Sequence, residues 1–266
     1  MASVWTIMET VRHDERATAY RRVAGEDGPT VLYVHGSGGT HRLWSAQYGA
    51  TGPSGAAVAL DLSGHGASED SATTSATETL DAYVADVAAV AGETDASVLV
   101  GNSLGGAVLL QGVLDGALSP EGIVLAGTGA KLTVDERLRE LLATDFETAV
   151  ETLHGDDMLF HDPSTRLRER SVETMHAVGQ SVTRRDFETC HRFDVRDRLG
   201  AISVPTLAVC GEYDRLTPPS YHEYLAEEIP TASVATVPDA AHLAMAERPT
   251  AFNETVAEFL DTQFGR

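Results

Sequence analysis

The chain of 266 residues is short of cysteine, of lysine and of long apolar runs. Its two cysteines, Cys190 and Cys210, are too few for a disulfide framework. Cys210 lies in an apolar run and reads as a small buried hydrophobe. Neither cysteine has His or Cys company at metal-ligand spacing, so no metal and no cofactor is expected. No apolar stretch approaches the roughly 18 residues of a membrane span. The N-terminal stretch MASVWTIMETVRHDERATAY has no basic segment followed by an apolar run. The expectation is a soluble, cytoplasmic protein.

Positive charge is the next scarcity. Lys and Arg number 19 against 40 Asp and Glu, for a net charge of −21, and Lys131 is the single lysine. Such a surface repels nucleic acid and anionic membranes. The expected partner is a small-molecule substrate, and the expected state is a monomer. Dense negative charge is tolerated where strong salt screens it, so the acidity is read as adaptation to high salt. With 42% hydrophobic and 22% charged residues the composition is otherwise that of a globular protein. The length suits one α/β domain with an insertion.

What is present is organised around SVLVGNSLGG (97–106). The first half reads as a short buried strand and 105–115 as a helix, with Gly101-Asn102-Ser103-Leu104-Gly105 between them. This fits G-x-S-x-G in the strand–turn–helix context of a nucleophile elbow. Gly101, Gly105 and Gly106 leave room for a strained turn. Such a turn lifts the Ser103 hydroxyl clear of the sheet and aims the Leu104 N–H, at a helix start, where an oxyanion would form.

The rest of the chain alternates strand and helix. Residues 3–12 and 16–23 read as a hairpin. Buried strands are expected at 30–35, 56–60, 122–126, 204–210 and 233–237. Helices are expected at 78–91 (ending at Gly92), 220–229 and 249–264. Residues 131–199 change character. Charge crowds in and apolar residues recur at helical spacing, as in Leu138/Leu141/Leu142 and Phe146/Val150/Leu153. This segment is expected to form three or four helices as a cap, on a core of 1–130 and 200–266. Its histidines, His154, His161, His176 and His191, lack ligand spacing and read as surface or packing residues. Together these elements predict a doubly wound, mostly parallel, eight-stranded α/β sheet with a helical cap insertion.

A serine is a poor nucleophile without an adjacent base. His242, late in the chain after the last strand, is able to take its proton and return it to a leaving group. The imidazole needs a carboxylate to fix its tautomer. Asp214, just past the 204–210 strand, is the natural candidate. Glu212 in the same loop and Asp239, three residues before His242, are rivals for the acid, and His65, between two glycines, is a rival for the base. The stretch after strand 122–126, GTGA (127–130), offers no carboxylate. The Gly-rich turn His35-Gly36-Ser37-Gly38-Gly39 follows a strand, but no G-K-[ST] marks it as a phosphate cradle.

His35-Gly36, Asp61…Gly64-His65-Gly66…Ser68, Gly101–Gly106, Gly211…Asp214 and His242 together resemble the α/β-hydrolase superfamily, in its branch with one cap insertion. The resemblance spans essentially the whole chain. It implies a triad of Ser103, Asp214 and His242, with an oxyanion hole from the backbone N–H groups of Ser37 and Leu104. Serine at 103 disfavours the dehalogenase and epoxide hydrolase branches, which use aspartate there. Asn102, where histidine is more frequent, is similar to some carbon–carbon bond hydrolases and lactonases. The expected function is hydrolysis of a carboxylic ester of a small or medium acyl substrate. The alternatives are a carbon–carbon bond or enol-lactone hydrolase with the same triad, a thioesterase or acyltransferase, or a ligand receptor on this fold.

Overall fold

The computed structural model describes residues 8–25, 28–48, 52 and 55–265. The described chain opens with a hairpin, β1 (Glu9–His13) and β2 (Arg16–Val23), in which His13 pairs with Arg16. Asp14 and Glu15 make its two-residue turn with φ of 43° and 63°, the left-handed pair that lets a hairpin follow the strand twist. The N-terminal part of the expected first strand, 3–7, lies outside the described residues.

The elements that follow are β3 (Val31–Val34), a 3₁₀ turn at His41–Trp44, β4 (Ala57–Leu60), α1 (Ala76–Thr94), β5 (Val98–Asn102), α2 (Leu104–Leu114) and β6 (Gly122–Ala126). Four helices come next: α3 (Glu136–Thr144), α4 (Phe146–Leu153), α5 (Thr165–Val178) and α6 (Gln180–Arg192). The chain then returns to the sheet with β7 (Thr206–Gly211), α7 (Pro219–Glu228), β8 (Ala232–Val237), α8 (Ala244–Glu247) and α9 (Pro249–Phe264).

The eight strands form one sheet in the order β1-β2-β4-β3-β5-β6-β7-β8. Only β2 against β1 and β4 is antiparallel. The order reverses between β3 and β5, and sites in such sheets gather beyond the carboxyl ends of the strands at that point. The central strands read as unbroken apolar runs because both their faces are covered. Leu32, Val34, Val58, Leu60 and Leu99 pack on the face with α1 and α2. Val31, Tyr33, Ala57, Ala59 and Val100 pack on the other, with Phe252 and Val256 of α9.

Two local expectations need correction. α1 does not end at Gly92. It starts in a full capping box between Ser75 and Glu78 and runs on to Thr94, where Asp95 takes the left-handed position at φ 52°. A glycine stops a helix only when it occupies that position, and Gly92 lies inside the helix. The short α8, between the His242 loop and α9, has too little sequence for a periodic signal.

Candidate active site

Strand β5 delivers Ser103 to a strained turn between closely packed glycines. Ser103 has φ 53° and ψ −113°, a strained conformation for a residue with a side chain, costing on the order of 1–3 kcal/mol. It persists because its surroundings fix it. Its N–H donates to Ala126 O at 2.9 Å, and Thr128 Oγ1 donates to its carbonyl at 2.8 Å. The glycines are required by close approach. A Cβ on Gly101 would lie 2.6 Å from the Gly105 carbonyl carbon, and one on Gly105 would lie 2.5 Å from Val34 O.

The 35–39 loop runs directly against the serine, since a Cβ on Gly36 would sit 3.1 Å from Ser103 Cβ. Among the described residues, neither the Ser37 N–H nor the Leu104 N–H has a protein acceptor. Two amide donors are therefore available beside one hydroxyl.

Asp214 and His242 meet at the carboxyl ends of β7 and β8. His242 Nδ1 donates to Asp214 Oδ2 at 2.9 Å. The other carboxylate oxygen accepts from the N–H groups of Leu216 and Thr217, each at 2.9 Å, and Thr217 Oγ1 donates to Oδ2 at 2.9 Å. Burial pushes the Asp214 carboxyl up, but His242 and these donors outweigh it and hold it below the ordinary carboxylate range. The arrangement leaves His242 Nε2 for a reacting partner. No hydrogen bond joins the Ser103 hydroxyl to the His242 ring in this arrangement. Both side chains line the same cavity.

The rivals lie elsewhere. Glu212 is exposed and accepts from the Asp239 N–H at 3.3 Å, which braces the loop. Asp239 is exposed at φ 53°. His65 is buried and held by Asp186 at 2.9 Å. The carboxylate-free stretch after β6 does stand beside the imidazole: a Cβ on Gly127 would lie 3.2 Å from His242 Nδ1. Asn102 also braces that histidine, with Nδ2 donating to Ala126 O at 3.2 Å and to His242 O at 3.5 Å.

Several site residues carry no motif. Asp186 of α6 is fully buried and accepts from the Gly38 N–H at 3.0 Å, from Tyr83 Oη at 2.6 Å and from the His65 ring. It thereby fastens α6 to the loop that presents the Ser37 N–H. Cys190, one turn on, places Sγ 3.7 Å from Ser37 Oγ, and burial pushes its thiol up to about 12. The signal for both was their phase. Thr183, Asp186 and Cys190 share the buried side of α6. Glu247 of α8 likewise accepts from the N–H groups of Ala241 and His161, joining the His242 loop to the helical segment. His161 stacks on Tyr213 at 3.8 Å. His154 is buried against Ser171, whereas His176 lies exposed.

Between α3–α6 and the sheet edge lies a cavity of about 980 Å³. Leu138, Met158, Phe160, Leu167, Met175 and Phe187 give it apolar walls, and Ser103 and His242 form part of its floor. Among the described residues no group of three or more His, Cys, Asp or Glu side chains is arranged to hold a metal ion. No helix there is long and apolar enough to cross a membrane.

Comparison with known proteins gives concordant matches. The family model described as the alpha/beta hydrolase family matches residues 31–255. RutD of Azorhizobium caulinodans, named as a candidate carbamate hydrolase, is 29% identical, covering 93% of this chain and 96% of its own. 3-Oxoadipate enol-lactonase 1 of Acinetobacter baylyi is 23% identical, covering 98% of both. The solved structure of a thermophilic esterase superposes with a TM-score of 0.84 at 29% identity, covering 97% of this chain and 98% of that one. A family match over most of the chain, borne on this sheet and this strained serine turn, makes the protein a member of the alpha/beta hydrolase family and an enzyme of that hydrolase type.

Proposed function

We propose that the protein cleaves a carboxylic ester of a small or medium acyl substrate through an acyl-enzyme on Ser103. His242 Nε2 takes the Ser103 proton as the oxygen attacks the ester carbonyl, and then returns it to the leaving alcohol. Asp214 holds the ring in the tautomer with Nδ1 protonated and stabilises the imidazolium that forms. The tetrahedral oxyanion sits between the Ser37 and Leu104 N–H groups, at the positive end of α2. Water, activated by the same histidine, then releases the acid. Residues 131–199 act as the cap that encloses the acyl chain, which fits the apolar walls of the cavity. The observation that carries this reading is the His242–Asp214 hydrogen bond at the sheet edge where a strained Ser103 meets two unpaired amides.

The test is active-site titration with a fluorophosphonate probe in molar KCl, followed by a p-nitrophenyl ester panel of increasing chain length. Labelling of the native chain, lost in Ser103→Ala, with rapid turnover of one chain length is the expected result. An absence of labelling in folded protein would overturn the mechanism. Labelling without useful turnover would favour the second reading, a carbon–carbon bond or enol-lactone hydrolase. The full-length similarity to an enol-lactonase and the histidine-bracing Asn102 support that alternative. A receptor on this fold would give one covalent event and no turnover of either substrate class.

A further inference from the structure

The cavity inverts the charge of the molecule around it. Acids outnumber Lys and Arg by 40 to 19 in the chain. Around the cavity the balance is reversed. Arg42 from the 3₁₀ turn, Arg137 from α3, Arg170 from α5 and Arg215 from the loop after β7 all line it. These four segments are distant in sequence, and the fold brings them to the lining of one cavity. None of the four is ion-paired among the described residues.

Three acids line the same cavity, and two are already occupied. Asp61 is buried and accepts from the His41 N–H at 2.7 Å, the His41 ring at 2.9 Å and the Ala67 N–H at 3.0 Å. Asp135 caps α3 through the N–H groups of Arg137 and Leu138. Glu173 alone is free. Arg42 and Arg170 both line this cavity and both stand at exposed positions, so their guanidinium groups are open to a ligand. Unpaired guanidinium groups gathered in a strongly acidic chain form a receptor for an anion that arrives with the ligand. Their planar donor forks match a carboxylate.

We propose that the substrate is an ester carrying a second, ionised carboxyl group, which Arg42 and Arg170 receive while Arg137 and Arg215 add to the attracting field. This rests on the ester-hydrolase reading and narrows it. The apolar walls take the chain between the two carboxyl carbons, and the arginines take the free carboxylate. A negatively charged molecule would otherwise repel such a substrate; the local reversal of sign offsets that at the cavity.

The experiment compares matched esters on the native chain. p-Nitrophenyl hydrogen glutarate is set against p-nitrophenyl valerate, for a carboxylate on the acyl side. 4-Butyryloxybenzoate is set against phenyl butyrate, for a carboxylate on the alcohol side. Rates are taken at the lowest KCl concentration at which circular dichroism reports folded protein, and again in molar KCl. The expected result is that one anionic ester exceeds its neutral partner in kcat/KM by about tenfold or more at the lower salt, and that the ratio shrinks as salt screens the field. Arg42→Gln and Arg170→Gln, both at exposed positions, should each lower that ratio, and Arg192→Gln on the far end of α6 should keep it. Neutral esters preferred in both pairs, in a protein that fluorophosphonate labels, would overturn the proposal and leave the hydrolase reading intact. If no ester is turned over, calorimetry on Ser103→Ala decides: monomethyl glutarate binding more tightly than methyl valerate supports the anion site, and equal or weaker binding refutes it.

Discussion

His242 and Asp214 form one buried acid–base pair beside the cavity, and His65 and Asp186 form another away from Ser103. Asp214→Asn should leave the fold intact but favour the wrong imidazole tautomer, lowering kcat by about 10⁴ on the best ester of the panel. Asp186 answers to stability and positioning instead. Burial alone would push the His65 imidazole down, but Asp186 outweighs it and raises it above the ordinary 6.5. His65 and its other donors hold Asp186 below the ordinary 3.8 despite burial. The raised histidine contributes stability below pH 6.5 and loses it as pH rises through its folded value; the lowered carboxyl contributes above pH 3.8 and loses it as pH falls through its own. Both contributions are therefore present between those limits. Asp186→Asn should cost about 3–5 kcal/mol there, as removal of one partner strands a buried charge. Urea midpoints across pH, compared with the native chain, measure it. His35 behaves oppositely. Burial and the neighbouring His65 push it down to about 4, and it stays neutral, accepting from the Leu62 N–H at 3.0 Å. Its unfolded form binds the proton more readily, so both proteins should share a loss of stability as pH falls below 6.5 toward 4.

At the scale of elements, glycine has two different meanings in this chain. Gly105 lets α2 lie against β3, where a Cβ would meet Val34 O and His35 O at 2.5 and 2.8 Å. Backbone cannot move aside as a flexible side chain does. Gly105→Ala should lower the thermal midpoint, at a cost of about 1–3 kcal/mol or more, and displace the Leu104 N–H. Gly92, in the interior of α1, has open space around it and no left-handed φ. Gly92→Ala should raise the midpoint, with a gain of about 0.5–1 kcal/mol. A single thermal series on the two variants separates a glycine required by packing from one that only softens a helix. The same contrast explains where α1 ends: Gly92 is the local stop signal, but the residue in the left-handed position is Asp95.

For the whole molecule the governing quantity is a net charge of −21. Self-repulsion on that scale opposes the compact state, and the Debye length shrinks to roughly 3 Å in molar salt. We propose that the acidity is a salt adaptation: the thermal midpoint should rise between dilute buffer and molar KCl, and a midpoint unchanged or lowered would remove the idea. The surface pairs between cation and carboxylate, such as Arg196 with Asp194 at 2.7 Å, will weaken under the same salt. The prediction is thus that relief of repulsion outweighs their loss.

The eight-stranded α/β core was legible because its signals are local. Unbroken apolar runs give buried strands, glycines at 101 and 105 give the tight turn, and each candidate residue follows a strand at its carboxyl end. Ser103, Asp214 and His242 are singled out as candidates in that way, and the preference for Asp214 over Glu212 follows from position in the loop. The tertiary structure alone decided which charges lie inside. Asp86 and Asp186 sit on helices where no local pattern marks either as buried, yet both are, because partners 70 and 148 residues away, Arg16 and Gly38, supply their hydrogen bonds. It alone also gathered Arg42, Arg137, Arg170 and Arg215 at one cavity. Hydrophobic periodicity reports how much apolar surface a segment must bury, and the pairing of polar groups depends on which segments meet, which no local pattern encodes.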